Sequence, residues 1–364
     1  LQPIARLVGE ISFGDGRIDI NKAEGLYGGS PISLKGQMIP KLGSLIDFDM
    51  RANLTDWTET NLKGIPYFEK FKFSGPLNLE INLSGNRHSF KFKSKSDLTK
   101  LGYELKEIIS KKENTPNLLE MEGSYSEREG ILFNQFKFTL DGNSVTGEAN
   151  LKSFSNPEYS IKLIGVGFEA KVMKRMVNFF DNSTDGKIDF QVLGQGNLNK
   201  PEDSFFKGSA VLKDLVFKWE DRKNPLTLSA DARFSGNTYD LRSGRMESGR
   251  SKISFRGKYK NEEQPELLLK LTGETLIIDE LISNKKSEDR DEVNLKDLFD
   301  TSHLLSHGKS KINVNLKQLD YKWLTLGDVS GTFFLKDKEI IFDGFRVGPN
   351  NAIKGQGKFS VKDP

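Results

Sequence analysis

A β-hairpin is encoded in residues 136–147: Phe136-Lys137-Phe138-Thr139-Leu140-Asp141-Gly142-Asn143-Ser144-Val145-Thr146-Gly147. Apolar and polar residues alternate before the turn, which is the period of a strand with one apolar face and one polar face. The turn is indicated by Gly142, because glycine adopts the positive φ that tight hairpins require. The same alternation covers most of the chain, so the sequence predicts a mainly β protein built from antiparallel strands.

The end of this hairpin, an apolar strand closed by a glycine, occurs four times along the chain. These marker glycines are Gly36, Gly147, Gly257 and Gly355. In three copies a second glycine opens another alternating run, at Gly75, Gly186 and Gly308. The first and second glycines are 39, 39 and 51 residues apart, and the next marker glycine follows after 72, 71 and 47 residues. Such regular spacing indicates an internal repeat.

The third copy departs from the other two in length. Its first part is 12 residues longer, and the mixed-charge stretch 285–297 accounts for the excess. Its second part is 24 residues shorter than in the second copy, which is the length of a missing hairpin. We therefore expect one continuous array over 1–364, with approximate units 1–129, 130–236, 237–337 and a truncated 338–364. The charged stretch is expected to be a solvated loop, with a docking site for a partner as the alternative.

Composition excludes several classes of function. The 54 basic residues are nearly balanced by 51 acidic ones, so the formal charge of +3 does not predict nucleic-acid binding. The absence of cysteine excludes disulfides and thiolate metal sites. Stretches approaching the roughly 20 apolar residues of a membrane span do not occur, so any membrane anchor is expected outside this segment.

The number of strands predicts the architecture. At roughly 17 residues per strand and turn, the chain holds about 20 strands, and open sheets rarely exceed about 10 strands without curling or splitting. We therefore expect a long curled antiparallel sheet, a β-trough of repeated units with short interspersed helices. The clearest helix is expected at 168–180, with others around 57–62 and 295–299. Such a helix could contact a membrane surface, but more often covers one end of a sheet.

Polar residues do not converge into a catalytic pattern. His303 and His307 are four residues apart, but the glutamate of a zinc protease is missing between them. Asp15 with Asp19, like the pair at 185 and 189, flanks a turn, so hairpin chemistry explains both pairs. We predict that the protein is not an enzyme, has no catalytic or metal-binding residues, and needs no cofactor.

Two segments resemble the C-terminal region of AsmA-like proteins. The first runs from Gly130 to Leu151, after the Leu118-Leu119-Glu120-Met121-Glu122-Gly123 strand, and the second runs from Gly308 to Gly357. The resemblance implies a periplasmic location, as part of an inner-membrane-anchored protein whose anchor lies outside this segment. It also implies lipid transport for outer membrane biogenesis, in which an apolar β-groove shields the acyl chains of phospholipid between the inner and outer membranes.

The apolar half of each alternation supplies the candidate lining of a hydrophobic groove. These residues are Leu79, Ile81, Leu83, Phe92, Phe136, Phe138, Ile188, Phe190, Val192, Ile253, Phe255, Ile312, Val314 and Leu316. Alternation alone also fits the core of an ordinary β-sandwich. We expect phospholipid or another acyl lipid as the ligand, with components of either membrane as possible partners. The alternative function is a scaffold whose exposed sheet edges assist the assembly of outer-membrane β-proteins.

Overall fold

The structure, a computed structural model, describes residues 4–41, 45–62, 72–105, 109–153, 156–174, 180, 182–219, 224–281, 308–336, 339–349 and 352–360. Strands make up 79% of it and helices 4%, which confirms the predicted mainly β fold with short helices. Twenty of the 23 strands in these residues belong to one sheet, as the strand count predicted, and the other three form a small sheet.

The strands of the large sheet are β1 (Ile4–Gly14), β2 (Arg17–Tyr27), β3 (Ser30–Lys41), β4 (Leu45–Trp57), β6 (Leu77–Asn86), β7 (Ser89–Asp97), β10 (Asn117–Ser126), β11 (Gly130–Leu140), β12 (Asn143–Lys152), β13 (Glu158–Glu169), β14 (Ser183–Asn197), β15 (Lys200–Phe217), β16 (Leu226–Ser235), β17 (Thr238–Ser248), β18 (Ser251–Lys260), β19 (Glu266–Ile277), β20 (Lys309–Tyr321), β21 (Leu324–Lys336), β22 (Glu339–Val347) and β23 (Ile353–Ser360). The small sheet contains β5 (Lys72–Ser74), β8 (Gly102–Leu105) and β9 (Ile109–Lys111). The helices are α1 (Glu59–Leu62), α2 (Ala170–Met173) and α3 (Ile278–Leu281).

The chain divides into two compact units. Unit 1 contains Leu1–Asp181 and Gln191–Phe205, and unit 2 contains Asn182–Phe190 and Phe206–Pro364. In unit 1, β1, β2, β3, β4, β6, β7, β10, β11, β12 and β13 pair in that order, and every pair is antiparallel. In unit 2, β15 to β23 pair in chain order. The four repeat units stay a prediction from the sequence. They are a different division of the chain from these two compact units.

Within the described residues, the third copy has one strand fewer in the sheet than the first copy, whereas its length suggested the loss of a hairpin. Its marker strands are β18 and β23, and four strands lie between them in the described sheet, against five between β3 and β12. In a fully antiparallel sheet, the loss of one strand would reverse the direction of β23 relative to the other marker strands. The parallel pairing of β19 with β20 cancels this reversal. A parallel connection needs a dozen or more residues, which accounts for the longer connection there. The charged stretch 285–297 and the helix expected at 295–299 lie outside the described residues.

The helix predicted at 168–180 is wrong at its start. Phe168 belongs to β13 and is only 2% exposed, and the helix itself covers Ala170–Met173. Ala170 and Val172 are buried, whereas Lys171 is exposed and pairs with Glu169 at 2.9 Å. The helix thus packs its apolar side against the end of the sheet, as the end-covering interpretation expected. Residues 175–179 lie outside the described residues.

Each short helix is bonded to the turn that precedes a marker strand. In α1, the buried Asn61 accepts a hydrogen bond from Ser30 Oγ at 3.1 Å and donates to the Tyr27 carbonyl at 2.7 Å. In α3, the Glu280 carboxylate accepts from the Ser251 amide at 3.0 Å and from Ser251 Oγ at 2.7 Å.

At α2 the side chain comes from the turn and not from the helix. The amide of Glu169, which precedes the helix, donates to Asn143 Oδ1 at 2.8 Å. Buried polar groups need such partners, so each copy fixes its helix over the strand ends with different side chains.

Candidate functional site

One face of the unit 1 sheet carries continuous apolar rows that cross its strands. Cross-strand partners lie on the same face, and the register therefore defines each row. The first row is Gly9, Ala23, Leu34, Ala52, Ile81, Ser94, Met121, Phe136, Gly147 and Leu163. The second row is Gly25, Ile32, Leu54, Leu79, Ser96, Leu119, Phe138, Val145 and Gly165. The third row is Ile11, Ile20, Gly36, Met50, Leu83, Phe92, Gly123, Phe133, Ala149 and Ile161.

The opposite face of unit 1 is charged, with signs that alternate from strand to strand. Ion pairs there join Arg51 to Glu80 at 2.8 Å, Lys93 to Glu122 at 3.1 Å, Lys95 to Glu120 at 3.8 Å and Lys162 to Glu148 at 3.2 Å. Exposed pairs of this kind stabilise a fold by at most about 1 kcal/mol each. Their main consequence is that this face is well hydrated, while the three apolar rows described above contain Ser94 and Ser96 as their polar side chains.

The apolar face of unit 1 is covered at one end of its strands. Trp57 and Leu77 form a buried cluster there with Leu101, which follows β7, and Tyr103 of the small sheet packs against it. Along β11, Phe133, Phe136 and Phe138 of this face are half-buried. Apolar side chains of this face therefore remain accessible to a ligand.

A buried lysine holds the covering segment in place, and the sequence did not predict this role. Lys111 is 2% exposed, and its Nζ donates to the carbonyls of Leu98 at 2.7 Å, Thr99 at 3.1 Å and Leu101 at 2.6 Å. Burial lowers the pKa of Lys111 to about 8, although the Asp97 carboxylate acts in the opposite direction. The three bonds tie the ammonium group to the backbone of the segment that carries Leu101, and the Leu98 carbonyl also accepts the Leu101 amide at 3.1 Å.

Phenylalanine rings lie over glycines of neighbouring strands in both units. A Cβ at Gly123 would come within 2.7 Å of the Phe92 ring, and one at Gly147 within 2.6 Å of the Phe136 ring. The same arrangement joins Phe255 to Gly244 and Phe342 to Gly357 in unit 2. Because glycine leaves room for the ring, each of these rings lies against the backbone of the neighbouring strand.

The unit 2 sheet also has one apolar face. One row is Leu215, Leu228, Met246, Ile253, Gly273, Leu316 and Val329. The next is Leu212, Ala230, Gly244, Phe255, Leu271, Val314 and Gly331. The third is Ala210, Ala232, Leu241, Gly257, Leu269, Ile312, Phe333, Phe342 and Gly357. Burial falls across these rows: Leu215 and Leu316 are buried, Phe255 and Ile312 are half-buried, and Tyr239 beyond them is 45% exposed.

The structure places eleven of the fourteen predicted lining residues on these apolar faces. Six lie on the face of unit 1 (Leu79, Ile81, Leu83, Phe92, Phe136 and Phe138) and five on that of unit 2 (Ile253, Phe255, Ile312, Val314 and Leu316). Ile188, Phe190 and Val192 share one side of β14 and alternate with Asp189, which pairs with Lys213. Phe92, Ile188, Ile253 and Leu316 are buried, and the other ten are half-buried. The buried four contribute to packing, while contact with lipid remains a prediction for the others.

Several residues of these faces were missed by the sequence analysis. Met121 and Phe133 in unit 1 and Leu269 and Leu271 in unit 2 belong to the same rows as the predicted residues. The alternation of β19 is hidden by three consecutive leucines, of which Leu268 lies on the charged face and is 52% exposed. Cross-strand register, which sequence pattern does not supply, separates them.

Comparisons with protein-family models, curated proteins and solved structures found no match for this chain. The resemblance to AsmA-like proteins therefore stays a prediction. Within the described ranges, His, Asp and Glu side chains form no group suited to a metal ion, while His303 and His307 lie outside those ranges. None of the helices in the described part of the chain is long and apolar enough to cross a membrane.

Proposed function

We propose that this chain is a periplasmic lipid-binding segment that shields the acyl chains of phospholipid on the apolar face of its sheet. It would form part of a route for lipid between the inner and outer membranes, as the resemblance to AsmA-like proteins implies. The supporting observation is the set of apolar rows whose side chains remain half-buried. Apolar side chains that stay partly accessible along continuous rows are typical of a binding surface.

The dimensions of the unit 1 face suit acyl chains. A row across ten strands spans nine intervals of about 4.8 Å, or roughly 43 Å along the sheet. This exceeds the roughly 30 Å hydrocarbon core of a bilayer, so the acyl chains of a phospholipid fit along it. The charged opposite face stays hydrated, which lets the segment expose one face to water while the other holds lipid.

The test is the lipid content of the purified protein. We expect organic extraction and mass spectrometry to recover phospholipid in stoichiometric amounts. A Phe138→Glu or Phe190→Glu change introduces a carboxylate among apolar side chains, and burying an unpaired charge costs several kcal/mol. Either change should therefore lower bound phospholipid, and the transfer of fluorescent phospholipid between vesicles, by at least about ten-fold.

A matched control is Thr146→Glu. Thr146 is adjacent to Val145 on β12 but faces the charged side, opposite Lys137 on β11. The added carboxylate should leave lipid content and transfer within about two-fold of wild type. Circular dichroism would confirm that all three variants fold. Absence of lipid from the wild type, together with unchanged transfer in Phe138→Glu, would refute the proposal.

A second function, in the assembly of other β-proteins, is favoured by the exposure of β1. All eleven of its residues are exposed, with Val8 at 75% and Phe13 at 76%. Among the described strands, β1 pairs with β2 alone. Long apolar edges accept further strands, so this function predicts cross-linking of an unfolded outer-membrane β-protein to β1. Val8→Pro should abolish that cross-linking while lipid content is retained.

A further inference from the structure

Three cations lie side by side on the charged face of unit 2. Arg256 on β18 and Lys270 on β19 are direct cross-strand partners. On the other side of Arg256, the register shift between Leu241 and Gly244 places Arg242 of β17 next to it. Like charges directly opposite each other destabilise a sheet. The protein therefore maintains an unfavourable row that needs a physical explanation.

The charged face of unit 1 shows how such a row is ordinarily balanced. There Glu80, Lys95, Glu120 and Lys137 are successive cross-strand partners, so each charge meets the opposite sign. In unit 2, Arg242 has a single 3.4 Å contact with Asp231. Within the described ranges, Arg256 and Lys270 form no ion pair. All three cations of the row are exposed, so an anion from solution can reach them.

The cations surround a cleft on this face. Its volume is about 760 Å³, and Arg242, Arg245, Arg256 and Lys270 contribute to its lining together with the hydroxyl-bearing Thr272. Asp231 is the one carboxylate among its lining residues. The volume lies within the roughly 300–1,000 Å³ range of ligand sites. Guanidinium, ammonium and hydroxyl donors together are the groups that bind phosphate oxygens.

We propose that this cleft binds a ligand carrying two or more phosphate groups. The row from Arg242 to Lys270 covers two strand intervals, about 9.6 Å, which is wider than a single phosphate. A ligand with two linked phosphates can place one between each neighbouring pair of cations and remove the repulsion. The cations of this site lie on the face opposite the apolar rows.

The test is calorimetric titration of the purified protein with inorganic tripolyphosphate and with inorganic phosphate at constant ionic strength. We expect saturable binding of tripolyphosphate that is at least ten-fold tighter than that of phosphate. An Arg256→Gln/Lys270→Gln double variant should weaken tripolyphosphate binding at least ten-fold. Lys93→Gln/Lys95→Gln is the matched control, because it removes the same charge from balanced positions of unit 1 and should change binding less than two-fold.

A vesicle experiment distinguishes the sources of the phosphate. Binding to phosphatidylcholine vesicles that contain cardiolipin, whose headgroup carries two linked phosphates, would assign the site to lipid headgroups if it is lost in the Arg256→Gln/Lys270→Gln variant. Tripolyphosphate binding without such vesicle binding would assign it to a soluble ligand. The proposal is overturned if both double variants weaken tripolyphosphate binding equally, or if wild type shows no saturable binding.

The folded state of the double variant provides a separate check. Because the change removes repulsion, the ligand-free Arg256→Gln/Lys270→Gln protein should melt at or above the wild-type temperature at low salt. Tripolyphosphate should raise the melting temperature of the wild type and leave that of this variant unchanged. A lower melting temperature for the ligand-free variant would contradict the inference that these cations repel each other.

Discussion

The marker glycines Gly147 and Gly355 supply the sharpest prediction about stability. They occupy equivalent positions of the repeat, but the space available for a side chain differs between them. At Gly147, a Cβ would overlap the carbonyl oxygen of Lys162 and come within 2.6 Å of the Phe136 ring. The ring can turn aside, but the carbonyl belongs to the β12–β13 ladder and cannot. At Gly355, a Cβ would meet nothing within 4 Å, because among the described strands β23 pairs with β22 alone.

The size of the effect follows from two opposing contributions. Overpacking costs about 1–3 kcal/mol, whereas replacing a strand glycine by alanine stabilises by about 0.5–1 kcal/mol. Gly147→Ala should therefore destabilise unit 1 by about 1 kcal/mol and by at most about 2.5 kcal/mol, and Gly355→Ala should be neutral or stabilising by about 0.5 kcal/mol. For a unit of about 200 residues, a loss of about 1 kcal/mol at Gly147 corresponds to a melting temperature lower by about 2–4 °C.

Thermal unfolding followed by circular dichroism would measure the change. Because the two compact units can unfold separately, hydrogen exchange of peptides from β12 and β13 gives the local result for Gly147→Ala. Faster exchange is expected there and not in β22 or β23. The reasoning is refuted if Gly147→Ala is as stable as wild type, or if Gly355→Ala is equally damaging.

Two further predictions concern the polar groups that hold the covering segments. The unfolded chain keeps the Lys111 proton up to its ordinary pKa of 10.5, whereas the folded protein releases it near 8; the unfolded state thus binds more protons in this window. Wild type should gain stability relative to Lys111→Met as pH rises from 8 to 10, and parallel melting profiles would contradict this. Glu280→Gln replaces one acceptor oxygen by a donor facing the Arg250 and Ser251 amides, costing about 1.5–3 kcal/mol. Hydrogen exchange should then accelerate at these amides, and unchanged protection would argue against the anchoring role of α3.

The sequence alone was sufficient for the faces of those strands in which apolar and polar residues alternate, but not for β19 with its three consecutive leucines. Side chains alternate because successive residues of any strand point to opposite sides, so residues such as Phe136 and Phe138 fall on one face whatever their partners are. The lining residues were assigned to one apolar side of their strands for this reason. Turn glycines such as Gly142 located the hairpin from the sequence alone, because the ability to adopt a positive φ belongs to glycine itself and not to its neighbours in the fold.

Strand direction and neighbours were decided by the tertiary structure. Alternation reads the same in parallel and antiparallel strands, so the parallel pairing of β19 with β20 left no trace in the pattern. The helix expected from Phe168 was shortened because that side chain is buried as part of β13. In the basic row, Arg242, Arg256 and Lys270 follow one another at intervals of 14 positions in the chain. Only the strand register brings them side by side. The alternation of side chains and the choice of turn residues depend on neighbours in the chain, so the sequence reveals them. Strand pairing joins residues that are distant in the chain, so it depends on which strands the folded sheet brings together.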